Sequence, residues 1–359
     1  MSASPSRPAP RAASAPAHRA GPAARAAGAP RRWAALAAAL LLAATAVGSP
    51  AAAAAPDPEG GTAKLRKVLD EANRGFVSAK TQLTNSQRRE KQLQQELRDL
   101  AGRQERLAGT VKQVAARSYR SGPLTGVSMM LESDSPDAFW VRATAMDRIF
   151  QLDAARLAGL VDARREIVRA QAQLDGEITV QTKQVAQMKA RTTEAEQALI
   201  AAGGGGAAGG FLPGNSPLAK PARRNPDGSW PNESCNVDDP TTGGCITPRT
   251  LHAMQQAKSA GFTRFVSCHR GGGGGEHPKG RACDFAAAKG GFANVDASGG
   301  DRAYGDRLAG YYVKNAGRLG VLYVIWYRQI WMPSTGWRAY SGGGGPSGTH
   351  TNHVHLSMQ

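Results

Sequence analysis

The chain has 359 residues and a formal net charge of +17. This length allows two or three folded units, and the charge favours anionic partners such as wall phosphates or acidic glycans. No basic run with interleaved aromatic residues and no nucleic-acid motif is found, so we expect no nucleic acid among the partners.

The first 55 residues consist almost entirely of Ala, Pro, Ser and Arg and contain no acidic residue. Within them, residues 31–55 combine a positive flank, an apolar core and a tail of small residues. This order is typical of a secretory signal peptide, and the apolar run is short for a membrane span. We therefore predict a signal peptide with a basic n-region over residues 1–55; an uncleaved anchor is the alternative, and both place the rest of the chain outside the cytoplasm.

Two segments carry an alternating four-three spacing of apolar residues, the first over residues 65–114 and the second over residues 146–199. Such spacing predicts a coiled coil, and the first register lasts for about seven heptads. Between them, Ser121-Gly122-Pro123 ends one helix and Ser135-Pro136-Asp137 begins another. The pattern predicts an antiparallel hairpin over residues 62–200 with its tip at about 119–145; a dimeric rod or spacer is the alternative.

The tip resembles those of coiled-coil hairpins in bacterial peptidoglycan hydrolases and their activators. The resemblance rests on residues 116–122, 131–133 and 135–139 and on Arg142. It implies that the tip docks to a membrane complex that controls wall cutting during division or growth.

A Gly-rich segment, residues 201–216, is predicted to be a flexible linker to a C-terminal domain over residues 217–359. In that domain a helix is predicted from Thr247-Pro248 to Ser259, and another over residues 302–318. Strands are predicted over 262–269, 284–287, 321–327, 329–332 and 353–358. The fold class is therefore α+β, with a small and mostly antiparallel sheet.

All four cysteines lie in the C-terminal domain, which favours an oxidising compartment. Of the three pairings that four cysteines allow, we favour Cys235–Cys245 and Cys268–Cys283, because each closes a short loop around a predicted element. A cysteine nucleophile is the least favoured chemistry in an exported chain with an even number of cysteines.

Two histidine clusters in the C-terminal domain indicate metal chemistry. His277 and Asp284 are seven residues apart, and Gly280 lets the intervening loop turn back so that the two side chains meet. His353 and His355 share one face of a predicted strand, about 7 Å apart. Two histidines and one carboxylate leave a tetrahedral zinc ion one open position, as a hydrolytic site requires.

The pattern His-x-x-Gly-x-Ala-x-Asp followed by His-x-His resembles zinc peptidases that include D-Ala-D-Ala carboxypeptidases and lysostaphin-type and penicillin-insensitive endopeptidases. The resemblance implies that His277, Asp284 and His355 bind Zn²⁺ and that His353 is an acid/base or stabilises the transition state. It also places Arg270 where the carboxypeptidase branch has an arginine that suits a carboxylate or carbonyl oxygen.

Two positions depart from the carboxypeptidase branch: Gly275 replaces a serine, and Asn352 replaces a glutamate base. Glu276 is a candidate base in its place, although it is equally compatible with a solvated role. His350 and His269 are assigned to surface or supporting hydrogen bonds, and the tryptophans of the last strands to the core rather than to a stacking wall.

The sequence therefore predicts a zinc metallopeptidase of the cell wall, acting on peptidoglycan as a D,D-carboxypeptidase or an endopeptidase and controlled by the coiled coil. A non-catalytic regulator or activator of another hydrolase is the alternative. The third hypothesis is a structural spacer whose histidine cluster only buffers metal ions.

Overall fold

Two long helices, α1 (Ala63–Ser121) and α3 (Pro136–Ala201), form the hairpin in this computed structural model. They are antiparallel, since Ser86 of α1 bonds to Glu177, while Arg117, farther along α1, pairs with Asp153. The structure describes residues 62–122, 125–340 and 342–359, so the predicted signal peptide lies outside the described residues. The described residues form one compact unit, and no described helix is both long enough and apolar enough to span a membrane.

The helix boundaries follow the predicted stop and start signals. Gly122 ends α1 with a positive φ of 73°, which suits glycine. Ser135 caps α3 by accepting a hydrogen bond from the amide of Ala138, and Pro136 occupies the first turn. A short helix, α2 (Thr125–Leu131), lies at the tip between them. The predicted coiled coil is confirmed.

The C-terminal domain contains a six-stranded antiparallel sheet in the order β3-β4-β8-β5-β6-β7 and a two-stranded ribbon, β1-β2. The strands are β1 (Val237–Asp238), β2 (Cys245–Ile246), β3 (Val266–Ser267), β4 (Ala282–Ala286), β5 (Val321–Trp326), β6 (Gln329–Met332), β7 (Gly336–Ala339) and β8 (His353–Met358). The helices are α4 (Pro248–Ser259), α5 (Gly299–Lys314), α6 (Ala316–Leu319) and α7 (Gly345–Gly348). The predicted α+β class is confirmed.

One face of the sheet packs against α4, α5 and α6 and forms the main core of the domain. Phe285 of β4, Trp326 of β5 and Leu356 of β8 lie in this core with Leu308 and Tyr312 of α5. Alternate residues of these strands point to the opposite face. That face carries the histidine cluster.

The base of the hairpin packs on the second face of the sheet. Leu69 and Ala72 of α1 and Ala195 and Leu199 of α3 share a buried apolar cluster with β5 and β6. The sheet contributes Leu322, Tyr323, Ile325, Ile330, Met332 and Tyr340 to this cluster. The hairpin is therefore anchored on the sheet rather than joined to it only through the Gly-rich segment.

That segment is also packed, which a glycine-rich composition does not predict. The amide of Gly205 bonds to the carbonyl of Ala339, and Ala207 pairs with Arg338 at the edge of the sheet. Phe211 packs edge-on against Trp337, with 5.0 Å between the ring centres. Residues 205–208 thus pair with the outer edge of β7.

Most predicted elements are present, with shifted limits. The strand expected over residues 262–269 is reduced to Val266–Ser267, because Thr241 and Asp239 side chains accept from the amides of Cys268 and His269 and replace strand partners. The second helix is divided at Asn315.

Both predicted disulfides are present, Cys235–Cys245 and Cys268–Cys283, and no described cysteine is free. The first joins the loop before β1 to β2, and the second joins the loop after β3 to β4. They indicate an oxidising, extracytoplasmic environment.

Candidate metal centre

The register of β4 and β8 places the second histidine cluster against Asp284. Asp284 lies directly opposite His355, and Ala286 lies opposite His353. Because alternate strand residues point to the same side, Asp284, His353 and His355 share the face that lies away from α5. All three are no more than 4 % exposed.

His277 joins them from a single 3-10 turn, His277–Lys279, that precedes β4. Gly280 ends the turn with φ 66°, and its amide bonds to the carbonyl of His277. A Cβ at position 280 would lie 2.5 Å from the Cys235 sulfur and 2.8 Å from the Ile246 Cα, so only glycine fits there. The loop turns back as the sequence predicts.

The three predicted ligand side chains, His277, Asp284 and His355, converge in the structure. His277 Nε2 is 3.2 Å from Asp284 Oδ1 and 3.3 Å from His355 Nδ1, and His355 Nδ1 is 2.9 Å from Asp284 Oδ1. Ligands of a tetrahedral zinc ion at its usual bond lengths are about 3.4 Å apart. The observed triangle is close to that size.

The surrounding hydrogen bonds direct lone pairs into this triangle. His277 Nδ1 donates to the carbonyl of Cys268, which leaves Nε2 without a proton in the neutral ring. Nε2 then faces the carboxylate oxygen of Asp284, so two acceptors meet unless a cation lies between them. Arg270 donates to the other oxygen, Asp284 Oδ2, at 2.5 Å. These donors fit a divalent metal with nitrogen and oxygen ligands.

The cluster keeps Asp284 ionised. Burial alone would raise the pKa of Asp284, but its electrostatic interactions with the surrounding imidazoles hold it well below the usual 3.8. A metal ligand at this position must be a carboxylate rather than a carboxylic acid, and the site provides it.

His353 lies beside the triangle with its second nitrogen unused. Its Nδ1 lies 2.7 Å from Asn352 Oδ1, and the Asn352 amide is oriented by donating to the carbonyl of Ala293. His353 Nε2 lies 3.5 Å from Asp284 Oδ1 and has no hydrogen-bond partner among the described residues. Burial lowers the pKa of His353 to about 4, so the ring is neutral at pH 7 and Nε2 is a free base.

His350 also belongs to this cluster, whereas the sequence predicts a position at the surface or a role in supporting hydrogen bonds. It is fully buried, and its ring centre is 4.8 Å from that of His353 and 5.6 Å from that of His355. Neither ring nitrogen has a hydrogen-bond partner among the described residues. The signal that could have identified it is the His-x-x-His-x-His spacing at the end of the chain.

Glu276, the candidate base, has its described partners in the hairpin and the adjoining turn. Its carboxylate lies 3.0 Å from Arg74 of α1 and 2.7 Å from Lys279, and it hydrogen-bonds to Asp70. Glu276 therefore connects the His277 turn to α1.

His269 lies beside Cys235 and Cys245 in a second cluster of metal-ligand residue types. Those cysteines are joined in a disulfide, so they offer no thiolate.

Two exposed aromatic rings lie next to the cluster. Phe265 and Phe292 are 56 % and 43 % exposed and pack edge-on, with 5.4 Å between the ring centres. Phe292 in turn lies 5.9 Å from the ring of His353. With the partly exposed Arg270, they form the accessible rim of the cluster.

Comparison with known proteins gives one family match. The model of the VldE C-terminal domain family matches residues 242–353, which is less than half of the chain. The match includes His277, Asp284, His350 and His353 and ends just before His355. Neither the curated proteins nor the solved structures contain a match to this chain.

Proposed function

We propose that the chain is a secreted, zinc-dependent peptidoglycan hydrolase that cuts a peptide bond in wall stem peptides or cross-links. The observation that carries the proposal is the buried triangle of His277 Nε2, Asp284 Oδ1 and His355 Nδ1, with the unpaired Nε2 of His353 beside it. Zinc held by these three residues would lower the pKa of a bound water toward about 7 and polarise an amide carbonyl.

The residues around the triangle have distinct roles in the proposed reaction. His353 Nε2 takes a proton from the attacking water and returns it to the leaving amine, because its ring is neutral and Asn352 holds it in position. Arg270 uses the part of its guanidinium group that does not bind Asp284 to orient a substrate carboxylate or carbonyl oxygen. Phe265 and Phe292 contact the apolar part of the peptide at the rim.

The wall as substrate is supported by features outside the site. The signal pattern and the two disulfides fit an exported protein, and the positive charge fits an anionic wall. At the hairpin tip, Tyr119, Leu131 and Trp140 are largely exposed, which fits docking to a partner in a membrane complex.

The coiled coil controls the site in this proposal by covering it. His355 stacks on Tyr323 at 5.6 Å, and Tyr323 lies in the apolar cluster beneath α1 and α3. Arg74 and Asp70 of α1 also bind Glu276, the residue before the ligand His277. Withdrawal of the hairpin base would expose this side of the cluster, so the hairpin acts as a cover that a docked partner removes.

The test combines metal content with product formation. We would compare the wild-type protein with His355→Ala and with His252→Ala, a control in which a histidine of α4 is removed outside the cluster. Wild type and control should hold one zinc ion per chain and release peptides from purified peptidoglycan, while His355→Ala loses both. Released D-Ala would indicate a carboxypeptidase, and released cross-linked fragments an endopeptidase.

A regulator of another hydrolase is the second candidate, and the position of Asn352 favours it, since the carboxypeptidase branch has a glutamate there. If the protein is a regulator, it should bind zinc but release no peptide from peptidoglycan. This should also hold for Arg74→Ala, in which the contact between the hairpin and the domain is weakened. A wild-type chain that binds no zinc would contradict the metallopeptidase.

A further inference from the structure

A cavity of about 470 Å³ lies between α1 and the C-terminal domain, apart from the histidine cluster. One wall is formed by residues 77–88 of α1. The other is formed by the loop containing Arg224 and Trp230 and by the region where α6 meets β5. We call this cavity the seam groove. Its volume is within the range of sites that bind small ligands.

The charges of the seam groove are all positive. Lys80 and Arg88 of α1 and Arg224 of the domain line it, and no Asp or Glu is among its described lining residues. Arg88 bonds to the side chain of Asn85, while Arg224 donates to the carbonyls of Gly228 and Gly317. None of the three cations forms an ion pair with a carboxylate among the residues that the structure describes.

Other arginines of the same helix differ in this respect. Arg74, Arg89 and Arg103 of α1 each pair with a glutamate. Three like charges that line one groove without a counterion repel one another, and an anion bound there would reduce that repulsion.

The remaining lining is of the kind that binds carbohydrate. Trp331 supplies an apolar ring and Trp230 contributes further ring atoms, while Thr81, Thr84 and Asn85 supply hydroxyl and amide groups. Arg224 is held in place, because its guanidinium lies 3.6 Å from the centre of the Trp230 ring. An occupant that suits this lining has apolar ring faces, several hydroxyls and a negative charge.

We propose that the seam groove binds an anionic carbohydrate, a sugar or polyol unit that carries a carboxylate or a phosphate. Because the groove has one wall on the hairpin and the other on the domain, such a ligand contacts both. It therefore stabilises the arrangement in which the hairpin lies on the sheet. This binding does not depend on the proposed peptidase activity.

The experiment is a titration of the purified protein, followed by calorimetry, with three probes. N-acetylmuramic acid supplies a sugar carboxylate, glycerol 3-phosphate supplies a polyol phosphate, and N-acetylglucosamine is the neutral control. The groove variant is Lys80→Gln/Arg88→Gln/Arg224→Gln. The matched control is Arg164→Gln/Arg165→Gln/Arg169→Gln, which removes the same charge from a basic patch on α3 that lacks aromatic residues.

We expect at least one anionic probe to bind the wild type and the control variant at millimolar concentrations, and N-acetylglucosamine to bind neither. The groove variant should bind about tenfold or more weakly, because it lacks the three charges that attract the anionic group. Which anionic probe binds distinguishes a carboxylated from a phosphorylated ligand.

The proposal fails if no anionic probe binds the wild type, or if both triple variants lose binding equally, which would indicate attraction to net charge alone. A short single-stranded oligonucleotide that competes more strongly than both anionic probes would also overturn it in favour of nucleic acid. If the groove variant does not fold, the indole N–H signals of Trp230 and Trp331 in the wild type decide: they shift on titration if the ligand occupies the groove, and they stay unchanged if it does not.

Discussion

Substitution of Arg74 by alanine should loosen the hairpin base from the sheet. The Arg74 guanidinium lies 3.0 Å from the buried carboxylate of Glu276 and also donates to the carbonyl of Met358. Loss of one partner of a buried ion pair costs about 3–5 kcal/mol when the other charge is left alone. Here Glu276 keeps Lys279 as a partner, and the Arg74 side chain is 30 % exposed. We therefore expect the free energy of hairpin closure on the sheet to weaken by about 1.4 kcal/mol, which is roughly a tenfold rise in the fraction of molecules with the hairpin base withdrawn.

Amide hydrogen exchange measures this opening directly. If the backbone amides of the strands beneath the hairpin exchange with solvent only when the hairpin base leaves the sheet, amides in peptides from β5 and β8 should exchange about tenfold faster in Arg74→Ala than in the wild type. Arg103→Ala is the matched control, since it removes an arginine of the same helix whose pair with Glu166 is exposed. Equal exchange of β5 and β8 in Arg74→Ala and Arg103→Ala would refute the reasoning.

Three further results are expected. Burial and the adjacent Glu276 raise the pKa of Asp70 to about 8, so the closed state holds a proton that an exposed carboxyl releases near 3.8. Hairpin closure should therefore weaken as the pH rises from 3.8 to about 8 and level off above that, as measured by exchange rates, while Asp70→Asn should remove this dependence. Loss of the Cys268–Cys283 disulfide, which closes a loop with a sequence separation of 15, should lower the free energy of unfolding by about 3 kcal/mol in denaturant titrations, and an unchanged midpoint would contradict this. If the rim binds the apolar part of the substrate, Phe292→Ala should raise KM severalfold at constant zinc content, whereas an unchanged KM would remove Phe292 from the site.

The local elements could be predicted because their signals are local. Heptad spacing predicts the hairpin, and Ser135-Pro136 and Thr247-Pro248 mark where α3 and α4 begin. The packing of residues 201–216 against β7 could not be predicted, because it depends on partners more than 100 residues away in sequence, such as Ala339. Glycine-rich composition indicates conformational freedom and does not show which backbone groups will be available as partners.

The same distinction holds for the site. The spacing of His277 and Asp284 predicts that these two side chains meet, because Gly280 turns the loop. The resemblance to zinc peptidases implies that His355 joins them, and this depends on the pairing of β4 with β8, which spacing alone does not give. The position of Glu276 could not be predicted, since its partners Asp70 and Arg74 come from α1, about 200 residues earlier. A glutamate next to a metal ligand suggests a base from sequence alone, and only the tertiary contact reveals its link to the hairpin.

Control through the hairpin requires that the hairpin base can leave the sheet while the C-terminal domain stays folded. The distribution of contacts is compatible with this. The main core, between the sheet and α4, α5 and α6, contains no residue of α1, whereas the smaller cluster on the opposite face does. Among the described residues, the polar contacts between α1 and the domain are few: they lie at Asp70, Asn73 and Arg74, and at Asn85 farther along the helix. Tyr119 lies 45 residues beyond Arg74 on the same helix, a distance of roughly 70 Å at 1.5 Å per residue. If the closed state is favoured a hundredfold, a partner at the tip must bind the open state about 2.7 kcal/mol more tightly to make the two equal. A few exposed aromatic contacts at the tip can supply a difference of that size.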